Sequence, residues 1–184
     1  MVSMGTVKTL LTFTEFEKTP DRPGKEELVR GQLIELPPKE IKHHLIGDRV
    51  YDFLDAAIDQ AHARGEAGTL GEALYEVGYR LPGECWLQPD VSVTHAGQRV
   101  KKYLLGAPAI AVEVITPSNA VEHVDAKAEL YFEFGAREVW RFFPKTKQAT
   151  IQTRDGSRAI PADSALTTPL LPGLAVSVKD LFGE

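Results

Sequence analysis

The chain has 184 residues, 43% of them hydrophobic and 26% charged, proportions expected of one soluble globular domain and not of a disordered or fibrous polypeptide. No apolar run approaches the roughly 20 residues of a membrane-spanning helix, the opening MVSMGTVKTLLTF has no signal-peptide pattern, and the lone Cys85 excludes an internal disulfide and a Cys-built zinc site, so a cytoplasmic setting is expected. The net charge of −5 disfavours a passive nucleic-acid coat, whose affinity rests on phosphate neutralisation, more than an enzyme whose carboxylates hold a metal.

There is no internal repeat, no low-complexity tract and no dividing linker, so one domain over 1–184 is expected, with its core at about 12–182. Phe13 to Glu17 reads as a short helix with Thr14 as N-cap, ending before Pro20. Glu27 to Leu36 reads as two short strands turning at Arg30-Gly31, and Pro37-Pro38 stops the second. From Lys39 to Arg64 the residues Ile41, Ile46, Val50, Phe53, Leu54, Ala57, Ile58 and Ala61 recur at helical spacing, which predicts a long amphipathic helix closed by Gly65. Its acidic run, Asp48, Asp52, Asp55 and Asp59, fits a solvated outer face better than a metal-binding one.

Thr69 to Leu81 predicts one or two strands. Trp86 to Val93 predicts a single strand with alternating faces, placed at an edge or bulged because Pro89 cannot donate to a ladder. Ala109 to Ile115 is apolar except for Glu113, the pattern of a strand buried on both faces. A helix is expected over 118–134, capped by Ser118 or Asn119 and ended by Gly135. Strands follow at Glu138 to Phe143 and Ala149 to Thr153, and Leu170 to Leu174 is a turn before a last short strand or helix. These elements predict an α/β (α+β) fold, a mixed sheet flanked by helices.

Glu113 is out of place in its strand. Burying an unpaired carboxylate costs roughly several kcal/mol, so it needs a partner. A structural ion pair, or a strand end that reaches water, is the plainer account. Asp90, in Gln88-Pro89-Asp90-Val91, has the same setting, and adjacent strands would bring the two acids together. Two such carboxylates repel unless a cation or a shared proton intervenes. Hard oxygen donors without thiolate favour Mg²⁺ or Mn²⁺. Lys127 lies on the helix leaving the Glu113 strand, where its ammonium could reach that site. Taken alone, it reads as a solvated helical lysine. Glu27 is a third metal-shell acid or a hairpin surface acid. His43 and His44 open the long helix and either contact a phosphate or water, or are simply exposed. Tyr131 and Trp140 read as core residues.

Several segments in order carry a resemblance. They are Glu27-Leu28-Val29-Arg30-Gly31-Gln32-Leu33, His43 after the proline pair, Gln88-Pro89-Asp90, and Glu113-Val114-Ile115-Thr116-Pro117-Ser118. Lys127 with Tyr131, Gly135-Ala136-Arg137-Glu138-Val139-Trp140 and Leu171-Pro172-Gly173-Leu174 complete the series. Together they resemble the Uma-type restriction endonucleases of the PD-(D/E)xK, restriction-endonuclease-like superfamily, over about residues 12–182.

The resemblance implies a metal-dependent endonuclease that hydrolyses phosphodiesters. It implies Asp90 and Glu113 as metal ligands, Glu27 and Lys127 as further catalytic groups, His43 at the substrate, and nucleic acid, DNA foremost, as partner. The superfamily's lysine stands two residues after the acid, where this chain has Ile115, so the role falls to Lys127. Ala120-Val121-Glu122-His123 replaces a basic stretch common in the family. No membrane partner is expected. A homodimer would suit cutting of both strands of a duplex. The alternative is a non-catalytic binding or regulatory domain on the same scaffold.

Overall fold

The computed structural model describes residues 10–20, 24–115 and 121–183. The segment Thr116-Pro117-Ser118 and the expected caps Ser118 and Asn119 lie outside the described residues. Helix α1 (Phe13–Phe16) is capped by Thr12, not Thr14. The Thr12-to-Glu15 spacing builds a capping box: Glu15 N–H donates to Thr12 Oγ1 at 3.2 Å and Thr12 N–H to Glu15 Oε2 at 2.8 Å. Strands β1 (Lys25–Val29) and β2 (Gln32–Leu36) form an antiparallel hairpin. Its two turn residues, Arg30 at φ 48° and Gly31 at φ 82°, both take the left-handed backbone that such a tight turn demands.

Helix α2 (Ile41–Ala63) buries Ile46, Val50, Leu54, Ile58 and Ala61, one stripe at helical spacing. Asp48, Asp52 and Asp59 are exposed and Asp55 is half-buried, so the acidic run is a solvated face. The chain continues through β3 (Leu70–Tyr75), β4 (Tyr79–Leu81), β5 (Cys85–Leu87), β6 (Val91–His95), β7 (Leu104–Leu105), β8 (Ile110–Val114) and α3 (Val121–Glu133). It ends with β9 (Glu138–Phe143), β10 (Gln148–Thr153), β11 (Gly156–Ile160), β12 (Ala165–Thr168), β13 (Leu171–Ser177) and α4 (Val178–Phe182).

A six-stranded sheet runs β11-β10-β9-β8-β6-β3, a five-stranded sheet β2-β1-β5-β4-β7, and β12 pairs with β13. In the six-stranded sheet only β8 and β9 are parallel, and α3 makes the crossover between them. The strand expected at 86–93 is in fact two strands in two sheets. Proline has no N–H to give a ladder, so strand pairing lapses at Gln88-Pro89 and the chain passes from one sheet to the other. Neither half is an edge: β5 lies between β1 and β4, and β6 between β8 and β3. Val91, Ser92, Val93 and Thr94 are all buried, so β6 is covered on both faces instead of alternating.

One face of the six-stranded sheet, with Val91, Val93, Val112 and Phe142, packs on the apolar stripe of α2 and on Leu171, Val178 and Leu181 from the C-terminal segment. The other face, through Ala111 and Val139, meets Ala128 and Tyr131 of α3 and Tyr79 and Leu87 of the five-stranded sheet. The architecture is therefore the expected mixed central sheet with helical cover on both sides, with a second sheet closing one of them. No described helix is long and apolar enough to cross a membrane.

Gly78 precedes β4 where the Trp86 ring closes over the backbone. A Cβ there would stand 2.0 Å from Trp86 Cζ2. Gly78→Ala should therefore force the indole aside and lower stability by about 1–3 kcal/mol in urea unfolding. An unchanged midpoint would mean that the ring is not held where it lies.

Candidate active site

The change of sheet at Gln88-Pro89-Asp90 creates the site. Asp90 N–H donates to Val112 O at 3.0 Å, which carries the β6–β8 ladder one step past β6. With Val91 opposite Val112, this sets Asp90 beside Glu113 on the neighbouring strand. The Asp90 carboxylate turns back onto that strand, where Oδ2 accepts Val114 N–H at 2.7 Å. His43 Nε2, from the first turn of α2, stands 3.1 Å from the same oxygen. Oδ1 faces two ammonium groups, with Lys39 Nζ at 2.7 Å and Lys25 Nζ at 3.6 Å. Lys39 also pairs with Glu76.

Glu113 is met from α3. Its Oε1 accepts from Lys127 Nζ at 2.6 Å and from the Tyr131 hydroxyl at 3.0 Å. Lys127 and Tyr131 are one helical turn apart and so project from the same face. Neither contact uses Oε2. Lys127 reaches on to Glu27 Oε1 at 2.9 Å, so one ammonium joins the acids of both sheets. Glu27 is fully buried on β1. It also accepts the Gln88 N–H at 3.0 Å, His123 Nε2 lies 3.0 Å from its Oε2, and Lys25 Nζ lies 3.5 Å from its Oε1.

The charge states follow from these contacts. Burial alone would raise the Glu27 carboxyl, but Lys127 and Lys25 outweigh it and, with the His123 contact, hold it well below the usual carboxylate range. Burial is likewise outweighed at Asp90 by Lys25, His43 and Lys39. At Lys127 burial would favour loss of the proton, yet Glu113 and Glu27 hold its pKa above the ordinary lysine value. Lys127 is thus a fixed cation at neutral pH and not a base. Tyr131 is pushed up by burial and by Glu113, so it stays a phenol and a donor.

These shifts set the pH dependence of folding. Depressed carboxyls stabilise the fold above their unfolded values of 4.5 and 3.8, and that stability is lost as pH falls through the lower folded values. The raised Lys127 stabilises below 10.5, and its contribution is lost as pH climbs through the folded value. Urea midpoints should therefore be level through neutrality and decline at both ends. Glu27→Gln should flatten the acid limb, and an acid limb of equal slope in both proteins would contradict the assignment.

The structure brings Asp90, Glu113, Lys127, Glu27 and His43 into one cluster. Glu27 is no surface acid, Lys127 is buried, and His43 is buried against Asp90 and not exposed at the helix start. The sequence reading passed over Lys25, Lys39, His123 and the Tyr131 hydroxyl. A signal existed for Lys25, which sits two residues before Glu27 and so on the same strand face. Lys39 has none, because its place depends on how the Pro37-Pro38 loop folds back.

A cleft of about 290 Å³ lined by Lys25, Pro37, Pro38, Lys39, His44, Glu76 and Gln88 opens beside the cluster. The donors offered by Asp90 and Glu113 are hard carboxylate oxygens, which suit Mg²⁺ or Mn²⁺. Among the described residues no group of three or more His, Cys, Asp or Glu side chains is placed to hold a metal ion.

A family model described as "Uma2: Putative restriction endonuclease" matches residues 13–179. Among solved structures, the fold is shared with a crystal structure described as that of "a putative nuclease belonging to DUF820 from Anabaena variabilis ATCC 29413". The TM-score is 0.79 at 20% identity, over 94% of this chain and 97% of that one. No curated protein matches the chain.

Proposed function

Since the chain belongs to the Uma2 restriction-endonuclease family, we propose that it is a nuclease that hydrolyses nucleic-acid phosphodiesters, DNA foremost, with Mg²⁺ or Mn²⁺ held by Asp90 and Glu113. The observation that carries this reading is the convergence of Asp90 and Glu113 from neighbouring strands, with the Lys127 ammonium 2.6 Å from Glu113. When bound, the ion supplies Lewis acidity, offsetting phosphate charge and acidifying water.

The chain's own groups do the rest. The Val114 N–H fixes Asp90 through Oδ2. His43, expected at the substrate, lies against that same carboxylate and in this reading orients it. Tyr131 and Lys127 fix Glu113 through Oε1. Such supporting contacts preorganise metal ligands and are worth about 10- to 100-fold in affinity or activity. Lys127, charged at neutrality, offers its proton to the negative oxygen that develops on the phosphate. Glu27 is a positioning residue: it holds Lys127 from the second sheet and keeps it charged.

The direct test is cleavage of single- and double-stranded DNA in Mg²⁺ and Mn²⁺, by wild type and by Glu113→Gln. Metal-dependent cleavage by wild type that Glu113→Gln lacks is expected. Cleavage that persists in EDTA would overturn the reading. Cutting both strands of a duplex calls for two sites, so the proposed working form is a homodimer. Sedimentation velocity should show two chains per duplex, and a single chain per duplex would contradict it.

A further inference from the structure

Two ammonium groups beside Asp90 have no part in the chemistry above. Lys39 stands on the loop after Pro37-Pro38, and Lys25 opens β1. Lys39 Nζ is 2.7 Å from Asp90 Oδ1 and Lys25 Nζ 3.6 Å from it. The Val114 N–H takes the other oxygen, so Oδ1 is the atom turned outward for a cation, and an ammonium already covers it. Both lysines line the open cleft, and their side chains keep 15% (Lys39) and 10% (Lys25) of their exposure. Lys127, by contrast, is held at 4% exposure between two acids.

Resting on the nuclease reading, we propose that Lys39, with Lys25 beside it, forms the binding site for a backbone phosphate of the nucleic-acid strand. The same Lys39 ammonium covers Asp90 Oδ1 until a phosphate draws it away. An ammonium and a divalent cation compete for one oxygen and repel each other, so an ion added alone meets a site already neutralised. A phosphodiester supplies the negative charge that relocates the ammonium and frees the oxygen. Cation and strand should therefore help each other bind, and by linkage the coupling is reciprocal.

The test uses two probes on the full chain: Mn²⁺ alone, followed by the paramagnetic signal of the free ion, and a labelled oligothymidylate in EDTA. Lys39→Met should bind Mn²⁺ about tenfold more tightly than wild type. It should bind the oligonucleotide more weakly, with a salt dependence reduced by about one phosphate contact. Partial unfolding would weaken both, so movement in opposite directions separates this role from a structural ion pair. Lys39→Gln serves as the second variant should the methionine protein fold poorly.

Mn²⁺ affinity unchanged or weakened in Lys39→Met, while Asp90→Asn still abolishes Mn²⁺ binding, overturns the inference and leaves the nuclease reading standing. Unchanged oligonucleotide affinity overturns it equally. No Mn²⁺ binding by any variant, Lys39→Met included, overturns the inference, and no binding with the oligonucleotide also present overturns the nuclease reading as well.

Discussion

Lys127→Met should lower cleavage by about a hundredfold or more and folding stability by about 3–5 kcal/mol. Both losses come from one ammonium. It lies 2.6 Å from Glu113 and 2.9 Å from Glu27, and its removal leaves two buried carboxylates facing each other without the cation that separates them. Neither can turn to solvent, since Glu27 is fully buried and Glu113 retains 8% of its exposure. The stability loss is read from urea unfolding, and the activity loss from cleavage at a temperature where the variant is folded. Lys127→Arg keeps the charge and should recover more stability than activity, because a planar guanidinium cannot reproduce a point contact to both acids. A Lys127→Met protein of wild-type stability would mean that the ammonium does not tie the two acids together.

Asp90→Asn should abolish activity to a similar degree with a smaller effect on the fold. Asparagine keeps an oxygen that can accept the Val114 N–H, so the backbone contact survives. The cations that lose a contact are Lys25, which keeps Glu27, and Lys39, which keeps Glu76, and both line an open cleft. Exposed or relocatable charges lose little when a partner goes, unlike the enclosed Lys127. The pair of variants thus tests the two roles proposed within one cluster, Lys127 for fold and chemistry together and Asp90 chiefly as a ligand. An Asp90→Asn protein that cleaves DNA at the wild-type rate would remove Asp90 from the site.

The site was partly legible because its acids break a pattern. A carboxylate inside Ala109-Ile110-Ala111-Val112-Glu113 demands a partner, and Asp90 enters β6 in the same way. The signal is not specific, as Glu138 shows. It is equally buried in an apolar strand, yet it is satisfied by the Trp140 indole N–H at 2.7 Å and the Thr168 hydroxyl at 2.7 Å, a structural arrangement. Sequence alone does not separate Glu113 from Glu138, because the difference lies in what α3 brings to one and β12 to the other.

The fold was legible where periodicity was strong, as in α2, β8 and the hairpin turning at Arg30-Gly31. Elsewhere long-range pairing decided the outcome. β7 and β11 carry little apolar periodicity and exist by pairing with β4 and β10. The split of the 86–93 segment required knowing that a second sheet waits beyond Pro89. That split sets Asp90 where the two sheets and α3 meet, and the expectation of one continuous strand missed it.

The most direct test of the central claim is a calorimetric titration of Mn²⁺ into wild type and into the Asp90→Ala/Glu113→Ala double variant, each with a non-cleavable oligonucleotide analogue present. Saturable binding by wild type, absent from a double variant that still unfolds cooperatively, is the predicted result. Binding undiminished in the double variant, or none by wild type even with the oligonucleotide, would contradict the account and leave the chain a non-catalytic scaffold.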